Sequence, residues 1–143
     1  MIARLFIIDT NVLAAGLITS DSTSPTARIV DAMLDGHLPC LLSPALLEEY
    51  RSVLLRPKLR RAHCLSEAEI DMLLTEITAN AVWREPPDDA VHPAPDSGDD
   101  HLWALLASEP SSVLVTGDRL LLEKPRPGST IVAPAESAGF FRR

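Results

Sequence analysis

Acidic residues recur in this 143-residue chain at places where a fold could bring them together. Asp9 follows the apolar run Leu5-Phe6-Ile7-Ile8, and Asp118 follows Val113-Leu114-Val115-Thr116-Gly117. Glu49 lies in Leu46-Leu47-Glu48-Glu49-Tyr50, and Asp96, Asp99 and Asp100 precede His101 and Leu102. Holding two carboxylates about 5 Å apart costs about 3 kcal/mol at an effective dielectric of 20. A divalent cation reverses the sign of each such term. Oxygen-only ligands select a hard ion, Mg²⁺ or Mn²⁺, which keeps waters and bridges carboxylates to phosphate. The chemistry open to these residues together is therefore metal-assisted hydrolysis of a phosphodiester. Each has a simpler role as well. Asp9 suits a helix N-cap, acidic residues at a helix start answer the macrodipole, and a glutamate on a helix is usually solvated.

Convergence depends on the elements that carry the acids. Short apolar runs rich in bulky and β-branched residues read as strands buried on both faces, the kind found in parallel sheets. Residues 3–8, Leu38-Pro39-Cys40-Leu41-Leu42, Ala81-Val82-Trp83, Ser112-Val113-Leu114-Val115-Thr116 and 130–132 fit that description. Between them lie helix signatures. Ser24-Pro25 opens a helix closed by Gly36, Ser43-Pro44 opens one running to about residue 56, and Ser66-Glu67-Ala68-Glu69 is a capping box. A short leucine-rich helix is expected at residues 119–123. This alternation predicts α/β architecture with a parallel sheet and right-handed crossovers. In such sheets strand ends and the starts of returning helices share one edge, where the functional crevice lies. Asp9 and Asp118 end strands, Asp100 starts a returning helix, and Glu49 lies in the early turns of another.

At 100° per residue, Leu46, Leu47, Tyr50, Val53 and Leu54 share one side of the third helix. Glu48 points away from that side, whereas Glu49 lies at its edge and can reach the crevice. On the later helix, Asp99 falls beside the leucine stripe and Asp100 on a small-residue face with Ala104 and Ala107. That geometry does not choose between them.

Length and composition fit one globular domain over residues 1–143, with 46% apolar and 23% charged residues. No apolar run is long enough to span a bilayer, and the start does not resemble a signal peptide, so a soluble cytoplasmic protein is expected. Cys40 and Cys64 make neither a disulfide framework nor a zinc ligand set. The net charge of −7 argues against a nucleic-acid partner. A metal at the acidic cluster would remove that objection. Positive charge also concentrates locally, in Arg51, Arg56, Lys58, Arg60 and Arg61, as a phosphate-contacting surface would require. Pro86, Pro87, Pro93 and Pro95 mark a loop in which Asp88 and Asp89 are expected to be solvated. His37, His63, His92 and His101 read as surface residues, His101 also standing beside carboxylates where it could ligate a metal.

Phe6-Ile7-Ile8-Asp9-Thr10-Asn11-Val12, Ser43-Pro44-Ala45-Leu46-Leu47-Glu48-Glu49-Tyr50, Arg56-Pro57-Lys58, residues 96–101 and Val115-Thr116-Gly117-Asp118-Arg119-Leu120-Leu121 resemble the PIN-domain ribonucleases. The similarity is to the VapC-like toxins of toxin–antitoxin pairs, and Ile131-Val132-Ala133-Pro134-Ala135-Glu136 extends it towards the end of the chain. The resemblance implies a three-layer α/β/α sandwich, Mg²⁺- or Mn²⁺-dependent cleavage of single-stranded RNA, and inhibition by a cognate antitoxin protein. By position, Asp9, Glu49, Asp100 and Asp118 match the family's acidic quartet, with Asp99 able to share the third role. Asn11 and Thr116 match the residues that position the first and last acids. Where relatives commonly carry a further acidic or proline-containing run, this chain has Ser97-Gly98, which leaves Asp96, Asp99 and Asp100 as candidates for the third acid.

Other classes fit less well. A phosphotransfer enzyme with Asp9 as nucleophile would need a second Asp where Asn11 stands, or an active-site Lys. A dinucleotide-binding domain would need a G-x-G-x-x-G turn after the first strand. A non-catalytic RNA- or protein-binding module keeps the fold but gives the acids no task. Phe140-Phe141 could contribute to a homodimer.

Overall fold

The computed structural model describes residues 4–139. The apolar runs form five short strands, β1 (Phe6–Ile8), β2 (Cys40–Leu42), β3 (Ala81–Trp83), β4 (Val113–Val115) and β5 (Thr130–Val132). They pair in parallel in the order β3-β2-β1-β4-β5. The helices are α1 (Thr10–Ile18), α2 (Pro25–Asp35), α3 (Pro44–Leu54), α4 (Pro57–His63), α5 (Glu67–Ala79), α6 (Asp100–Ser108), α7 (Arg119–Glu123) and α8 (Pro134–Ser137), with a 3₁₀ turn at Ser97–Asp99 before α6. From β1 the chain steps outward to β2 and β3, then crosses back to β4 and β5. Right-handed crossovers therefore place α1 to α5 on one face of the sheet and α6 and α7 on the other, completing an α/β/α sandwich.

β1 and β4 are sealed on both faces, with none of their residues more than 1% exposed, as their unbroken apolar runs require. The chain reverses its winding between these two strands. Their carboxyl ends thus flank the switch point at which open α/β sheets bind ligands.

The helix starts follow the local signals. Ser24 Oγ accepts from Ala27 N, Ser43 Oγ accepts from Leu46 N, and Ser66 and Glu69 form a reciprocal capping box. Gly36 closes α2 in the left-handed region, at φ +76°. Gly16 lets α1 and α2 approach closely: a Cβ there would come within 2.5 Å of Thr26 O and Val30 Cγ2.

Several expectations are corrected. The third helix stops at Leu54, because Pro57 has no N–H to continue it and instead opens α4, a helix whose pattern is too short to read from sequence. His63 is buried rather than superficial. Its Nδ1 accepts from Leu65 N, which leaves Nε2 to donate to Leu54 O at 2.9 Å, so the ring clamps the α3–α4 junction. Asp89 is not solvated either. It pairs with Arg126 at 2.7 Å and ties the proline-rich loop to the turn before β5. The residues after the last strand form the short α8, packed on α2. Among the described residues, no helix is long and apolar enough to cross a membrane. Phe140 and Phe141 lie outside the described residues.

Candidate active site

Asp9 begins where β1 ends, and it both caps a helix and faces the crevice. Its Oδ1 accepts from Thr10 N at 2.8 Å, while Oδ2 accepts from Thr116 Oγ1 at 2.7 Å and from Asn11 Nδ2 at 3.3 Å. These donors reach across the switch point. Thr116, fully buried just beyond β4, also accepts from Asp118 N, and Asn11 Oδ1 accepts from Gly117 N. Asn11 and Thr116 thus lock the ends of β1 and β4 to each other. Burial raises the Asp9 carboxyl above its ordinary range; hydrogen bonds from Thr116 and Thr10 oppose this, and the charges of Glu49 and Asp118 reinforce it. Asp118 caps α7 through Leu120 N. For Asp9 and Asp118, capping and facing the cluster are compatible.

Glu49 arrives from the second turn of α3, half-buried, while Glu48 is exposed. The helix is held against the end of β1 by Tyr50, whose hydroxyl donates to Ile8 O from a fully buried position. Glu49 Oε1 accepts a hydrogen bond from Thr10 Oγ1, and Oε2 stands 3.6 Å from His101 Nε2. His101 is the main influence holding the Glu49 carboxyl below its ordinary range; burial opposes it, and the Thr10 hydrogen bond and the Arg56 charge act in the same sense as His101.

The positional match leaves Asp96, Asp99 and Asp100 open for the third acid, and the structure sets them in different surroundings. Asp100 is engaged elsewhere, its Oδ1 accepting from Ala94 N at 2.8 Å and so securing the proline-rich loop to the start of α6. Asp96 is exposed and accepts from Gly98 N, which builds the 3₁₀ turn. Asp99, at the end of that turn, is the one brought to the cluster. Its carboxyl is pushed up to about 6, first by burial and then by the charges of Asp9, Asp96, Glu49 and Asp118. One ligand atom each from Glu49, Asp99 and His101 lies within 4.8 Å of the others.

Thr10 is a site residue that sequence reasoning misses, and His101 is one that it reads as superficial while allowing that it could ligate a metal. Thr10 carries no signal beyond its place after Asp9. His101 does, standing two positions after Asp99 at a helix start, but the expectation of a surface histidine is corrected: its side chain is 17% exposed, and both ring nitrogens are shut from water. A cleft of about 230 Å³, lined by Pro44, Pro86, Asp88 and Ala104 among others, opens beside it.

The basic segment divides. Arg51 is committed to Asp71 at 2.8 Å and Glu67 at 3.0 Å on the α3–α5 surface, and its charge is locally answered. Arg56, Lys58, Arg60 and Arg61 are exposed on and before α4, with Arg56 near enough for its charge to act on Glu49.

The donor set, three or four carboxylates with an imidazole whose nitrogens make no hydrogen bond, fits a divalent cation. No curated protein matches the sequence. Residues 6–120, which span β1 to β4 and the acids of the cluster, match the PIN domain family, and the chain belongs to that family.

Proposed function

We propose that the chain is a metal-dependent endoribonuclease acting on single-stranded RNA, with Asp9, Glu49, Asp99 and Asp118 holding Mg²⁺ or Mn²⁺. The observation that carries this is the convergence of those carboxylates at the switch point, where burial and the neighbouring charges raise Asp99 to about 6. Membership of a family whose members are generally metal-dependent nucleases supports the same reading.

A bound divalent cation supplies neutralisation of the phosphate and a more acidic water. The chain's own contribution is positioning. Thr116 and Asn11 fix both the Asp9 carboxylate and the 117–118 backbone, so the first and last acids keep their separation. Thr10 orients Glu49, and Tyr50 anchors its helix. Asp100 secures the turn that presents Asp99 by accepting from Ala94 N. Arg56, Lys58 and Arg60 offer positive charge to the RNA backbone beside an otherwise acidic crevice, while Arg51 is occupied by Asp71 and Glu67. The VapC-like motifs extend the reading to a toxin kept inactive in the cytoplasm by a cognate antitoxin protein.

Labelled single-stranded RNAs of mixed sequence, incubated with the purified chain in Mn²⁺, Mg²⁺ or EDTA, test the proposal alongside Asp9→Asn. Metal-dependent cleavage that disappears in the variant is the expected result. No cleavage of any RNA, together with no calorimetric metal binding, would overturn it in favour of a non-catalytic binding module.

A further inference from the structure

The acids of the centre differ in how much of their hydrogen-bonding capacity is already used. Asp9 has both oxygens occupied, by Thr10, Thr116 and Asn11. Glu49 has Oε1 occupied by Thr10 but only His101 beside Oε2, at 3.6 Å, longer than a hydrogen bond. The Asp99 side chain makes no capping hydrogen bond. His101 has both ring nitrogens shut from water and neither makes a hydrogen bond. An imidazole with both nitrogens shut from water and neither hydrogen-bonded is rare in a native fold and calls for an explanation. Here the unused lone pairs of three side chains meet, with one ligand atom from each inside 4.8 Å.

We propose that His101 is itself a ligand, giving the cation site an imidazole nitrogen beside the carboxylates of Glu49 and Asp99, and that this nitrogen biases the site towards Mn²⁺ and later first-row ions over Mg²⁺. The inference rests on the proposed function in that it requires the centre to take a divalent cation. Donors each about 2.1 Å from one ion lie about 3 Å apart when cis and about 4.2 Å apart when trans, so three ligand atoms within 4.8 Å of one another reach one ion by side-chain movements of about 1–2 Å. Mg²⁺ demands hard oxygen donors and gains little from imidazole, whereas nitrogen donors raise affinity along the first transition series, in which Mn²⁺ stands lowest. The bias is therefore modest for Mn²⁺ and larger for Co²⁺.

The test is pulsed EPR of Mn²⁺ added to the wild-type chain, with calorimetric titration of Mn²⁺, Co²⁺ and Mg²⁺ into wild type and His101→Gln. The expected results are a ¹⁴N coupling to Mn²⁺ that is absent in His101→Gln, a loss of Co²⁺ and Mn²⁺ affinity of about 10-fold or more, and a smaller change for Mg²⁺. The wild-type EPR signal decides the matter even if the variant folds poorly. Mn²⁺ bound with no ¹⁴N coupling, or equal losses for all three ions, would overturn the role of His101 and leave the nuclease reading standing. No binding of any of the three ions would overturn both.

Discussion

Replacing Asp99 by asparagine removes a charge at nearly constant shape, and its consequences depend on the sign of the local field. Without metal, the Asp99 carboxyl is raised from 3.8 to about 6 by burial and by Asp9, Asp96, Glu49 and Asp118. A rise of that size corresponds to about 3 kcal/mol, which screening at a partly exposed carboxylate reduces to about 1 kcal/mol. Between those two pH values the folded chain holds more protons than the unfolded one. The stability linked to protonated Asp99 is therefore fully present below 3.8 and is lost as the pH rises through about 6. The substituted amide never ionises and so has nothing to lose. In EDTA, Asp99→Asn and wild type should melt together near pH 4, and the variant should melt about 4 °C higher at pH 8. Mn²⁺ should invert that order, since a ligand at 100 times its Kd stabilises wild type by about 2.7 kcal/mol and the variant, one ligand short, by less. Calorimetric scans at pH 4, 6 and 8 with and without Mn²⁺ measure both effects. A variant that melts below wild type in EDTA at pH 8 would refute the repulsion, and an equal gain from Mn²⁺ would refute Asp99 as a ligand.

Glu49→Gln should lower cleavage at least 100-fold at fixed Mn²⁺, because the transition-state stabilisation given by one group of a preorganised site is of that order, while exposed Glu48→Gln should leave it within about 2-fold; equal effects in a cleavage assay would undo the assignment of α3's faces. Arg56→Gln with Lys58→Gln should make log Kd for single-stranded RNA less steep against log salt by about 0.7 for each phosphate no longer neutralised, read by fluorescence anisotropy. Arg51→Gln should leave that slope unchanged, since Arg51 is held by Asp71 and Glu67. Gly16→Ala would drive a methyl group into Thr26 O and Val30 Cγ2 at 2.5 Å, and denaturant unfolding should show a destabilisation of about 1–3 kcal/mol.

Periodicity and caps are the features of this fold that can be read without coordinates. The five strands are apolar runs, and the helix starts have serine, proline or capping-box signals that the structure uses as expected. The faces of α3 are legible for the same reason. Its apolar stripe spans the whole helix, so Glu49 half-buried and Glu48 exposed follow from an angle that one local deviation cannot change. α4 is hidden because seven residues starting at a proline are too few to show a period. His63 and Asp89 read as surface residues because their partners, the Leu54 carbonyl and Arg126, come from elements whose approach is fixed only by the fold.

The third acid shows where such reading stops. A helical wheel assumes 100° per residue, and at residues 97–99 the chain turns as a 3₁₀ helix instead, so the angular relation of Asp99 to the leucine stripe of α6 no longer holds at its boundary. The Ala94 amide then captures Asp100, an interaction made by a loop whose path no local pattern encodes. With Asp100 engaged there, the carboxylate delivered to the others is Asp99, and the helix start that delivers it also carries His101 to Glu49. A run such as Asp-Asp-His at a helix start therefore specifies that acids and an imidazole arrive at the crevice, while the turn before the helix decides which of them face one another. For this chain that turn is held by Asp96 and Asp100, so substituting either should move Asp99 and His101 together.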